Sequence, residues 1–153
     1  MIINTKKFLD KIIMYSYIYT NKNYKDSNII KDLILFNKTV CRQTPSIIIN
    51  KKNEIISVKT TLRDLKLNMF LYKLKIFTLP KMKKDLILDN NIFKLDNNYN
   101  IYIILKNKNY FFEYKTDLKN NFNYTFVIKL IFNKNITNKN KINYINKILK
   151  IKL

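Results

Sequence analysis

The stretch 55–84 reads Ile55-Ile56-Ser57-Val58-Lys59-Thr60-Thr61-Leu62-Arg63, then Asp64-Leu65-Lys66-Leu67-Asn68-Met69-Phe70-Leu71-Tyr72-Lys73-Leu74-Lys75-Ile76-Phe77-Thr78-Leu79, then Pro80-Lys81-Met82-Lys83-Lys84. Its β-branched opening, with Glu54 before it, predicts a strand over 54–61. Asp64 is a good N-cap for a helix over 65–79, whose Leu67, Phe70, Leu71, Leu74 and Phe77 or Thr78 share one side. Pro80 disfavours helical geometry at Leu79 and predicts the stop there. A strand is thus joined at once to a helix that closes on a proline and basic residues.

Upstream, residues 11–19 are aromatic and β-branched and predict a strand. A polar loop follows over 20–26. Ser27 opens a helix carrying Ile29, Ile30, Leu33 and Ile34, with an end expected near Asn37 or Lys38. Gln43-Thr44-Pro45 leads into a short strand over 46–50, and Lys51-Lys52-Asn53 reads as a turn. Downstream, 81–98 is expected to be an irregular connection or a short helix. Strands are expected over 99–105, 110–115 and 124–132, the first two joined by a turn at Asn107-Lys108-Asn109. Ile142, Ile145, Ile148 and Leu149 predict a basic C-terminal helix over about 137–153. The order strand, helix, two strands, helix, three strands, helix predicts an α+β fold. The expected form is a mostly antiparallel sheet with helices packed on one face, a single-domain two-layer sandwich over residues 1–153 with a short N-terminal extension at 1–10.

Thirty basic residues stand against ten acidic ones, for a net charge of +20 in 153 residues. A folded body gains nothing from such self-repulsion unless a polyanion neutralises it and releases condensed counterions. Glycine, tryptophan and histidine are absent, while Ile, Lys, Asn, Tyr and Phe dominate. That bias fits codons rich in adenine and thymine, as in a reduced organelle genome, and it discounts part of the lysine excess. Arg42 and Arg63, the only arginines, are therefore more telling than any one lysine.

The absence of histidine excludes histidine-based acid–base catalysis, a Ser-His-Asp triad and a histidine-containing metal site. No glycine-rich phosphate loop exists and the carboxylates form no paired motif, so no enzyme activity, cofactor or metal is expected. A single cysteine, Cys41, allows no intramolecular disulfide. No run of eighteen apolar residues predicts a membrane span, and the first residues do not read as a transit peptide.

Thr61-Leu62-Arg63, the helix after it and Pro80-Lys81-Met82-Lys83 resemble the family of large-subunit ribosomal protein five, a universal protein of the central protuberance. In that family a strand ends in Val-Thr-Leu-Arg-Gly, and the helix after it ends in a Pro-Arg-Ile-Arg-Asp-like stretch. Gln43-Thr44-Pro45 resembles its Gly-Gln-Lys-Pro, and Phe93 to Asn100 resembles its Phe-Asp-Gly-Arg-Gly-Asn-Tyr-Ser. Lys11-Ile12-Ile13 resembles its Lys-Ile-Thr-Leu-Asn-Met-Gly, and 124–132 stands where its Leu-Asp-Ile-Thr-Ile-Thr strand would be. The resemblance covers roughly 11–150, in common order and spacing. The departures are that the family's long N-terminal helix is not represented and its glycines in these motifs are replaced. Tyr15, Ser16 and Tyr17 stand at Asn-Met-Gly, and the chain between Pro45 and Arg63 is several residues shorter.

The resemblance implies a ribosomal protein working without chemistry, in an organelle ribosome, with a mitochondrion expected and a plastid as the alternative. Its ligand would be 5S ribosomal RNA, or the large-subunit ribosomal RNA that replaces it, beside neighbouring ribosomal proteins of the central protuberance. The candidate ribosomal-RNA contacts are Lys11, Lys38, Arg42, Gln43, Thr61, Arg63, Lys81, Lys83 and Lys84. Lys51 and Lys52 stand in the loop that reaches the elbow of the peptidyl-site tRNA in the family. Here they keep part of that role, or the role disappears or passes to a neighbouring protein. Each candidate has a plainer reading: an ion pair of Arg63 with Asp64 or Glu54, a β-forming Thr61, solvated lysines elsewhere. Tyr15, Tyr17 and Tyr19 would share one strand face, to stack bases or to be buried. The rival from another class is a basic peripheral membrane-surface protein or a protein-only scaffold.

Overall fold

An alternation of period two sets the sheet. In β1 (Leu9–Ile18), Ile12, Met14 and Ser16 are buried on one side, while Lys11, Tyr15 and Tyr17 face the other, half-exposed. The structure is a computed structural model and describes residues 8–18, 27–49, 55–85, 93–114 and 124–150. Six strands form one antiparallel sheet in the order β2-β3-β1-β6-β5-β4. They are β1, β2 (Ser46–Ile49), β3 (Ile55–Leu62), β4 (Phe93–Leu95), β5 (Ile101–Leu105) and β6 (Tyr124–Phe132). The helices pack on one face of it, so the fold is α+β in two layers, as its sequence predicts.

α1 (Ser27–Cys41) lays Leu33, Phe36, Val40 and Cys41 on the sheet. It outruns the stop expected at Asn37 or Lys38 because Asn37 is not a surface terminator. Its side chain is wholly buried, accepts a hydrogen bond from the Ser16 hydroxyl and donates one to Thr60 Oγ1 at 3.1 Å. A polar group that would be costly alone in the core is thereby satisfied between helix and sheet.

The helix after β3 departs further from expectation. α2 (Asp64–Lys73) passes into a π-helical turn (Leu74–Thr78) and continues as α3 (Leu79–Asp85), so Pro80 does not end it. The amide of Leu79 bonds to the carbonyl of Leu74, five residues back. This puts Pro80 in the first turn of the renewed α-segment, where its missing N–H and fixed φ do no harm. Met82 on that segment is buried.

Beyond α3 the strand β4 replaces part of the expected connection, and the strand expected over 110–115 is absent from its described residues. Two 3₁₀ turns, Lys108–Tyr110 and Phe112–Tyr114, stand there. Tyr110 and Phe111 are consecutive and both buried, which a strand, pointing neighbours to opposite faces, does not allow on a one-sided core. Asn107 Oδ1 caps the first turn by accepting from the Asn109 amide at 2.9 Å. α4 (Asn138–Lys147) starts as expected: the Thr137 hydroxyl accepts from the Asn140 amide at 3.3 Å. It stops at Lys147, short of the expected 153, and Leu149 beyond it is buried in the core.

Candidate nucleic-acid interface

The sheet face opposite the helices is built by strand register alone. One row crosses it as Lys94, Tyr102, Lys129, Ile13 and Thr61, from β4 through β5, β6 and β1 to β3. The next row is Ile104, Val127, Tyr15, Lys59 and Ser46, and a third is Thr125, Tyr17, Ser57 and Ile48. No described helix covers these rows, although Ile13 and Ser57 within them are buried between their neighbours. No carboxylate stands in the three rows themselves, while Asp96, just past β4, lies near enough to act on Lys129. Tyr15 and Tyr17 stack on each other, ring centroids 6.0 Å apart, and Lys129 Nζ lies 4.9 Å from the centre of the Tyr102 ring. A hydrogen bond with Tyr102 raises the Lys129 pKa above the usual lysine value, which keeps that cation charged. Burial, with Tyr15 beside it, raises that of Tyr17, which stays a neutral hydroxyl. Flat rings among lysines can hold a single strand by stacking on bases and pairing with phosphates.

Several residues singled out in the sequence meet at the β3 end of this face. β2 begins only opposite Lys59, so the Thr61 carbonyl lies beyond its neighbour strand; Gln43 Nε2 donates to it at 2.8 Å. Thr61 pairs with Ile13, and Lys11 lies beyond Ile13 toward the start of β1. Arg63 follows β3 directly, and Arg42 precedes Gln43; both are exposed. The amide of Arg42 bonds the Lys38 carbonyl at 2.9 Å and closes α1, with Lys38 exposed on its last turn.

The basic group after Pro80 divides. Lys81 turns inward, donating to the Asn109 carbonyl at 2.9 Å, with the Phe77 and Tyr110 rings 5.5 and 5.8 Å away. Lys83 and Lys84 are exposed at the end of α3, in the helical layer. Lys51, Lys52 and Tyr19 lie outside the described residues. Lys59, Lys94, Tyr102 and Lys129 are not singled out by the sequence. Their strand parity was legible for β3, β5 and β6, but only the register joins them to Tyr15.

Elsewhere polar groups are spent on the fold. Lys73 donates to the Val40 carbonyl at 2.9 Å, at the end of α1, and pairs with Glu113. Burial pushes the Cys41 thiol up to about 12, against the smaller opposing effect of Lys73. Among the described residues no three His, Cys, Asp or Glu side chains gather to hold a metal, and no helix is long and apolar enough to cross a membrane.

A chain without glycine must put other residues where the backbone turns left-handed. Arg42 and Asp64 both have φ of 55°, Tyr99 has 61° and Lys150 has 54°. For a residue with a Cβ this costs on the order of 1–2 kcal/mol, less for aspartate. Arg42→Gly removes that strain but adds freedom to the unfolded chain, so the expected net gain is about 0.5–1 kcal/mol. A thermal melt should show a rise in Tm of roughly 1–4 °C; a fall would mean that the Arg42 side chain itself holds the turn.

No protein-family model and no curated protein matches the chain. Among solved structures it is similar to Mth689, a DUF54 protein from Methanothermobacter thermautotrophicus. The identity is 14%, the match covers 93% of this chain and 98% of that chain, and the TM-score is 0.54. At that identity the likeness is one of fold alone.

Proposed function

We propose that the chain is a structural constituent of the large subunit of an organellar ribosome, seated by its open sheet face on 5S ribosomal RNA or on the large-subunit RNA that replaces it. The observation that carries this reading is where the backbone turns left-handed. Aligned on Gln43 and Pro45, Arg42 stands at the glycine of the Gly-Gln-Lys-Pro motif of the ribosomal protein five family. Aligned on Thr61-Leu62-Arg63, Asp64 stands at the glycine of Thr-Leu-Arg-Gly. Both have positive φ, the geometry that favours glycine there. Tyr17, Leu95 and Asn97 stand at the other glycines of the family's quoted motifs without positive φ, and Tyr99, which has it, falls on the family's tyrosine, so the likeness rests on two of five glycine positions.

Charge supports the same reading, since a +20 body with a lysine- and tyrosine-bearing face suits a polyanion with exposed bases. Lys11, Gln43, Thr61 and Arg63, with Lys59 and Lys129, form the contact surface; Lys38, Arg42, Lys83 and Lys84 border it or extend it to a second RNA segment. Neighbouring proteins of the central protuberance complete the site, and Lys51 and Lys52 remain the candidates for the peptidyl-site tRNA elbow. The composition favours a mitochondrion over a plastid. The test is sedimentation of the native protein: it should travel with large subunits at moderate salt and be released by ribonuclease. Free protein in an untreated gradient refutes the reading.

A further inference from the structure

The helix α2, with the π-helical turn that continues it, has two apolar sides, and the fold uses one of them. Leu67, Phe70, Leu71 and Leu74 are buried against the sheet. On the other side Leu65, Met69, Tyr72 and Ile76 are 71%, 47%, 65% and 57% exposed. Their spacing of four, three and four aligns them in one stripe, about 16 Å long at the helical rise. A helix meeting water on its outer side ordinarily carries polar residues there, and a contiguous exposed apolar stripe marks a contact surface.

We infer that this stripe docks a helix of a second protein, one whose apolar side is flanked by carboxylates. Charge complementarity selects that occupant. Lys66 and Lys73 lie on one flank of the stripe and Lys75 on the other, and no acidic residue occurs between Leu65 and Leu79. Glu113 already pairs with Lys73, leaving Lys66 and Lys75 to face the partner. A second copy would bring another +20 body against the first. RNA offers no aliphatic surface to bury four such side chains. Apolar residues at this spacing form a ridge of the kind that packs against the grooves of a partner helix. The inference does not depend on what the sheet face binds.

The test uses the full chain and three labelled helical peptides of about 18 residues, followed by fluorescence anisotropy. One has a leucine stripe flanked by glutamates, its twin has lysines on the flanks, and the third keeps the glutamates but has serines in the stripe. The first should bind saturably and at least tenfold more tightly than either other peptide. Tyr72→Ser with Ile76→Ser, and separately Leu65→Ser with Met69→Ser, should each weaken it at least tenfold while leaving the melting curve of the protein nearly unchanged. Binding that ignores these substitutions, or no binding, overturns the inference. So does a dimer in sedimentation velocity, or co-pelleting with phosphatidylserine vesicles, that the same substitutions abolish.

Discussion

Reversing Lys11, Lys59 and Lys129 together to glutamate should lower affinity for 5S or large-subunit ribosomal RNA at least a hundredfold, measured by filter binding near 0.1 M salt. All three lie on the open face, in adjoining rows of one continuous sheet. Each lysine that no longer neutralises a phosphate leaves counterions condensed on the RNA, so the slope of log affinity against log salt should fall by about 2–3 in magnitude. The same charge change on the helices, Lys31→Glu, Lys66→Glu and Lys139→Glu, should cost less than about fivefold. Tyr15→Ala with Tyr102→Ala should weaken single-stranded RNA binding by about 1–3 kcal/mol for each base left unstacked, with little change in the salt slope. An equal weakening by the two lysine triples would mean that the total charge matters and the face does not.

Phe126→Ala is expected to be among the most damaging single substitutions for stability. Phe126 is wholly buried on β6, which pairs with both β1 and β5. Its ring stacks on Phe36 of α1 at 4.3 Å between centroids and meets Phe111 edge-on at 5.3 Å. The truncation leaves a cavity between sheet, helix and 3₁₀ turn, for a cost of about 3–5 kcal/mol. Against a total stability of roughly 5–15 kcal/mol this should lower Tm by about 10 °C or more. Leu35→Ala, at a position 60% exposed, should stay within about 0.5 kcal/mol. If the two substitutions shift Tm alike, the aromatic cluster is not the centre of the core.

Periodicity in the chain was enough to specify an α+β sandwich, because alternation of two and recurrence at three and four directly encode which side of each element meets the core. It located β1, β3, β6 and the start of α4 within a few residues. It failed where local signals met tertiary demands. Asn37 looked like a terminator, yet Ser16 and Thr60 supply its partners inside the core. Pro80 looked like a stop, yet the π-helical turn before it absorbs the missing amide. Tyr110-Phe111 looked like a strand, yet the core on one side of the sheet claims both rings.

For the candidate interface the division is similar. Net charge, the alternating tyrosines of β1, and Lys11, Gln43, Thr61 and Arg63 were readable as residues in a line. Their gathering depends on pairing between segments far apart in sequence. Only the register carries Lys129 beside Tyr102 and Lys59 beside Tyr15, because a slip of one residue would turn each side chain to the other face.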